Sequence, residues 1–116
     1  MRKLIVLATV AASTAALAVP ALAATKAVKI GDTFFGSKGA KPTVTAKVGD
    51  TIKWSYVKSG KLAHNVTVKS GPVKFHSKTL KPGASYSHKL TKAGTYKIVC
   101  TFHAVLGQTM TLKVTK

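Results

Sequence analysis

Acidic residues are almost missing from this sequence. Its 116 residues include two aspartates, Asp32 and Asp50, and no glutamate, against 19 lysines and arginines. A mechanism that needs paired carboxylates has almost nothing to draw on, and a carboxylate-rich Ca²⁺ or Mg²⁺ cage is excluded. Cysteine is as scarce: the lone Cys100 rules out an internal disulfide framework and a four-cysteine zinc site. Arginine occurs once, at Arg2, so the bidentate contacts typical of sequence-specific nucleic-acid binding have no donor in the body of the chain. Lysine can still hold anions as a point charge. What is present is a formal net charge of +17 together with 46% hydrophobic residues, which is too apolar for a charged disordered tail.

Part of that apolar content belongs to the N-terminus. Met1, Arg2 and Lys3 precede an apolar run from Leu4 to Ala12, and Ala21-Leu22-Ala23 follows Pro20. A basic start, an apolar stretch and an A-x-A site predict a secretory signal over residues 1–23, cut after Ala23. The run is short and broken by Ser13 and Thr14, unlike a membrane span. The expectation is an exported protein, periplasmic or extracellular at the cell envelope, with no integral span after cleavage. Residues 24–116 then form one domain with 17 lysines and two aspartates, a net +15. A domain of this size buries about 60% of its unfolded surface. It needs a compact core, with help from a metal if one is bound.

The pattern of that domain is all-β. Extended segments are expected at Ala27–Ile30, Thr43–Ala46, Thr51–Val57, Asn65–Val68, Tyr86–Leu90, Thr95–Cys100 and Thr109–Val114, separated by Gly, Pro, Asp and Ser turn signals. Ile52, Trp54 and Tyr56 share one parity, as do Met110, Leu112 and Val114, which is the period of a half-buried strand. No window sustains a helical period. Short strands at regular spacing predict a β-sandwich or barrel.

The chemistry-bearing residues lie at strand ends. Cys100-Thr101-Phe102-His103 follows the run Tyr96-Lys97-Ile98-Val99, and His64-Asn65-Val66 precedes another strand. One thiolate and two imidazoles are the ligand set of a trigonal copper site. A free thiol in an exported protein is otherwise a liability to oxidation. Taken alone, C-x-x-H also fits a cysteine packed as a small hydrophobe and a histidine in a turn.

The ordered set Gly49-Asp50-Thr51-Ile52-Lys53-Trp54, His64-Asn65-Val66, Leu80 with Pro82-Gly83, Gly94-Thr95-Tyr96, Cys100 and His103 resembles the plastocyanin/amicyanin branch of the cupredoxins over nearly the whole domain. The resemblance implies a Greek-key β-sandwich holding one type 1 copper, with His64, Cys100 and His103 as equatorial ligands and Asn65 bracing the cysteine. The family's axial methionine has no clear counterpart. Plastocyanin-like spacing places Gln108 there, an amicyanin-like loop places Leu106, and Met110 carries the familiar sulfur two residues further on. The resemblance further implies an electron carrier rather than an enzyme, with Phe102, Ala104, Val105 and Leu106 as an apolar docking rim around His103. Copper storage, delivery or protection is the alternative use of the same ligands. The charge suggests an acidic redox partner protein and association with an anionic cell envelope, while the lack of arginine in the domain argues against specific nucleic-acid binding; a monomer is expected. His76 and His88 are expected on the surface, His88 on the polar parity of its strand.

Overall fold

A computed structural model describes residues 22–116. Apart from Leu22 and Ala23, the expected secretory signal lies outside the described residues. Eight strands follow one another: β1 Thr25–Gly31, β2 Phe34–Phe35, β3 Thr43–Lys47, β4 Thr51–Tyr56, β5 Thr67–Ser70, β6 Ser85–Lys89, β7 Gly94–Val99 and β8 Thr109–Thr115, with a single 3₁₀ turn at Ala104–Leu106. They form two four-stranded sheets, ordered β2-β1-β4-β6 and β3-β8-β7-β5. β1 runs parallel to β4 and β3 parallel to β8, while the other pairs are antiparallel. This is the expected all-β Greek-key sandwich.

Alternation decides which side chains fill the space between the sheets. Val28 and Ile30 of β1 and Ile52, Trp54 and Tyr56 of β4 are buried against Tyr96 and Ile98 of β7 and Met110, Leu112 and Val114 of β8. Each such side chain contributes roughly 1.5–3 kcal/mol of transfer free energy. The indole N–H of Trp54 lies 3.3 Å from the Met110 sulfur, so the two sheets also touch through a polar contact at the core. The opposite parity carries lysine, serine and threonine. Lys53 pairs with Ser87 on one outer face, and Lys97 with Thr111 on the other.

Three differences from the sequence pattern have physical causes. β2, Phe34–Phe35, is a strand of two residues, too short for any periodicity to register. Asn65, Val66 and Cys100 lie just outside β5 and β7, in the loops at one end of the sandwich. His88 is half-buried rather than on the polar face: it shares the parity of Tyr86, and its ring stacks on Phe75 with centroids 3.8 Å apart. His76 is exposed, as expected.

Asp50 closes the turn before β4. Its carboxylate accepts the N–H groups of Ala24 at 2.9 Å and Lys47 at 3.0 Å, which hold its pKa below the ordinary carboxylate value. A depressed carboxyl pKa contributes stability above the unfolded value near ~3.9 and loses it as pH falls through the folded value. Asp50→Asn is therefore expected to lower the melting temperature at pH 7 and to flatten its decline below about pH 4. Melting followed by circular dichroism across that range checks this, and an unchanged acid limb would contradict it.

Candidate metal centre

The loops at one end of the sandwich bring three side chains together. His64 sits between β4 and β5, held by backbone bonds to Leu80 on both sides: its N–H donates to the Leu80 carbonyl at 3.4 Å, and its carbonyl accepts from Leu80 at 2.7 Å. Cys100 directly follows β7, and its carbonyl accepts the N–H of His103 at 3.1 Å. That tight turn is why two intervening residues suffice to point both side chains the same way. The Cys100 Sγ lies 3.7 Å from His64 Nδ1 and 3.6 Å from His103 Nδ1. All three potential ligand atoms fall within 4.8 Å of one another.

Those distances suit a metal ion. With bonds of about 2.3 Å to sulfur and about 2.0 Å to nitrogen at about 120°, sulfur and nitrogen would stand about 3.7 Å apart. Cys100 and His64 are fully buried and His103 is half-buried, so the set is closed on all but one side.

Gln108 completes the group. Its amide nitrogen donates to the carbonyls of Gly31 at 3.1 Å and Phe34 at 3.0 Å, which fixes which end of the amide is which. Its Oε1 therefore faces inward, 2.9 Å from His64 Nδ1. Gly107, with φ of 93°, makes the left-handed turn that swings Gln108 under the loop. A Cβ at Gly31 would sit 2.1 Å from the tip of the Phe34 ring, so any other residue would have to push that ring aside.

The other two axial candidates point elsewhere. Leu106 is 64% exposed in the 3₁₀ turn, and the buried Met110 offers its sulfur to Trp54. Asn65 ties the loops together from the side. Its Oδ1 accepts the Thr101 N–H at 3.0 Å and its Nδ2 donates to the Thr101 hydroxyl at 2.7 Å, which steadies the residue next to Cys100 rather than the sulfur itself.

Sequence reasoning missed Asp32. It lies in the two-residue connection between β1 and β2, and its Oδ1 is 3.1 Å from His64 Nε2. Hydrogen bonds from the Tyr56 hydroxyl and from His64 hold its carboxyl far below the usual range. A neutral imidazole has one N–H. With that proton on Nε2 toward Asp32, His64 Nδ1 presents a lone pair to the Gln108 oxygen. Two imidazole nitrogens, the cysteine sulfur and an amide oxygen then converge, and once the Cys100 S–H is given up these lone pairs make a set that a cation would satisfy. The face outside His103 is apolar: Phe102, Val105 and Leu106 are exposed, Val105 at 95%.

Comparison with known proteins agrees with this chemistry. The family described as "Copper binding proteins, plastocyanin/azurin family" matches residues 27–115. Amicyanin-alpha of Methylorubrum extorquens is 36% identical over 97 residues, which is 78% of this chain and 80% of that protein. Among solved structures, the Cu(I) form of an amicyanin variant with glutamine in place of a methionine superposes with a TM-score of 0.63 at 28% identity, covering 78% of this chain and 81% of that one. A purple cupredoxin from Nitrosopumilus maritimus has a TM-score of 0.63 at 19% identity, over 78% of this chain and 99% of that one, a likeness of fold.

If the four donors form one ion site, Co(II) or Zn(II) at one hundred times its dissociation constant stabilises the fold by about 2.7 kcal/mol. Thermal melts with and without the ion are expected to show this gain in the native protein and its loss in Cys100→Ser. A gain that survives the substitution would place the ion elsewhere.

Proposed function

Because the chain belongs to the plastocyanin/azurin family of copper-binding proteins, we propose that it serves as an exported one-electron carrier whose resident cofactor is a single type 1 copper. In this reading His64 Nδ1, Cys100 Sγ and His103 Nδ1, together with Gln108 Oε1, would hold the ion. The observation that carries it is the convergence of these mostly buried atoms, with His64 and Gln108 anchored from behind. When bound, copper supplies the one-electron change between Cu(II) and Cu(I).

The chain's own contribution is to keep the donors where they are. Asn65 and Thr101 brace the cysteine loop, Gly31 and Phe34 hold the Gln108 amide, and Asp32 and Leu80 hold His64. Restrained ligands limit rearrangement between the two oxidation states. Burial of Cys100, His64 and Gln108 keeps water off three sides, leaving His103 as the edge nearest solvent. The exposed Phe102, Val105 and Leu106 form a dry contact patch for a redox partner around that edge. Acidic surface on the partner complements the lysines.

The position of Ala24 supports export with cleavage after Ala23. Its nitrogen already donates to Asp50, which is 6% exposed. Cleavage there would convert that nitrogen into an ammonium paired with the carboxylate.

Copper addition to the purified 24–116 chain is expected to produce an intense thiolate-to-copper band that Cys100→Ser abolishes, with a reversible voltammetric wave and slow copper loss to a chelator. Rapid loss without a reversible wave would favour storage or delivery. Gln108→Met is expected to raise the reduction potential, since an amide oxygen favours Cu(II) more than a thioether does. An unchanged spectrum and potential would clear Gln108 as a ligand. For an acidic partner, the second-order rate constant measured by stopped flow is expected to fall as salt rises from about 10 mM to 150 mM, across which the Debye length shrinks from about 30 to 8 Å.

A further inference from the structure

Asp32 makes more contacts than a loop residue needs. It accepts hydrogen bonds from the Tyr56 hydroxyl at 2.6 Å, the Lys61 N–H at 3.0 Å, the Leu62 N–H at 3.2 Å and the His64 ring at 3.1 Å. Tyr56 acts twice: its hydroxyl holds the carboxylate, and its ring stands edge-on to His64 with centroids 4.6 Å apart and planes at 86°. The connection that presents Asp32 is strained. Thr33, the next residue, has φ of 70°, a conformation that branched side chains avoid. Such strain persists only where the surrounding structure over-determines it, and it clusters at functional sites. The composition adds weight. The chain has two acids against 19 cationic residues, and the other acid, Asp50, serves a turn at β4.

From these observations we infer that Asp32, held by Tyr56, is the positioning residue of the metal centre: it keeps the proton of His64 on Nε2, turns Nδ1 toward the metal as a lone pair, and places a lone negative charge beside the site that favours Cu(II) over Cu(I). The field of the many lysines works the other way, since it opposes the more highly charged ion. Asp32 is the local counterweight. This inference rests on the copper reading for its oxidation-state half and on the metal-free protein for its tautomer half.

The experiment takes the native chain, Asp32→Asn, Asp32→Ala, Asp32→Glu and Tyr56→Phe. In copper-free protein, long-range ¹H–¹⁵N spectra are expected to show His64 protonated on Nε2 in the native chain. In Asp32→Ala the proton should move in part to Nδ1, where the Gln108 oxygen can accept it. In the copper-loaded forms, Asp32→Asn is expected to release Cu(II) to a chelator on the order of tenfold to 100-fold faster. Cu(I) release should change less, and the potential should rise by about 59 mV for each tenfold loss of preference for Cu(II). Asp32→Glu should restore part of both, and Tyr56→Phe should give a smaller shift of the same sign. Should Asp32→Asn prove unfolded by circular dichroism, Tyr56→Phe and Asp32→Glu still decide the matter. A native His64 that is not protonated on Nε2, or variants whose tautomer, release rates and potential match the native values, would overturn the inference. A native protein that shows no thiolate-to-copper band would overturn the copper reading instead, while the tautomer measurement would still decide the role of Asp32.

Discussion

Two hydrogen bonds from one amide nitrogen organise the metal centre. The Gln108 side chain donates to Gly31 and Phe34, the residues that end β1 and begin β2, although it stands at the head of β8 in the other sheet. The bonds close the sandwich at the end where the loops gather, and they leave the amide oxygen no direction but inward. A buried primary amide left without partners would cost the desolvation of both its ends. Here its nitrogen is satisfied by backbone carbonyls, so only the oxygen remains for the site. Glycine at position 31 is part of the same arrangement, because it leaves room for the tip of the Phe34 ring beside the strand end from which the carbonyl projects.

Around that anchor, each donor is supported by a different part of the fold. Cys100 depends on the turn that points His103 back over it and on the Asn65–Thr101 pair beside it. His64 depends on Leu80 through its backbone and on Asp32 and Tyr56 through its ring. Buried polar groups with complete partners specify one arrangement more sharply than apolar packing does. The remainder of the interior is apolar, built from alternating strand residues, and its role is to keep the two sheets in register so that loops from both meet at one point.

Much of this was legible in the chain. The parity of Ile52, Trp54 and Tyr56 and of Met110, Leu112 and Val114 identified two central strands, and the C-x-x-H and H-N-V segments located three donors. The shortfalls have specific causes. β2 spans two residues, below the length at which alternation carries information. The loop after His103 aligns with either of two family spacings, so the chain alone leaves Gln108, Leu106 and Met110 open, and only the folded 3₁₀ turn shows Leu106 outward and Gln108 inward. Asp32 was invisible because its partner is distant in sequence and an aspartate after a glycine reads as an ordinary turn. His88 shares the parity of Tyr86, and its cover comes from a tertiary stack on Phe75 that no local pattern displays.

The near-absence of acids has a kinetic corollary for a carrier with an exposed apolar rim. Two copies of this protein would have to meet rim to rim to swap electrons with each other, and both bring a large positive charge to that encounter. Mutual repulsion therefore suppresses exchange between like molecules at low ionic strength, so that electrons are not passed idly around the pool. Added salt relaxes that repulsion and would equally weaken attraction to any oppositely charged partner, so the balance between transfer among copies and transfer to such a partner depends on ionic strength.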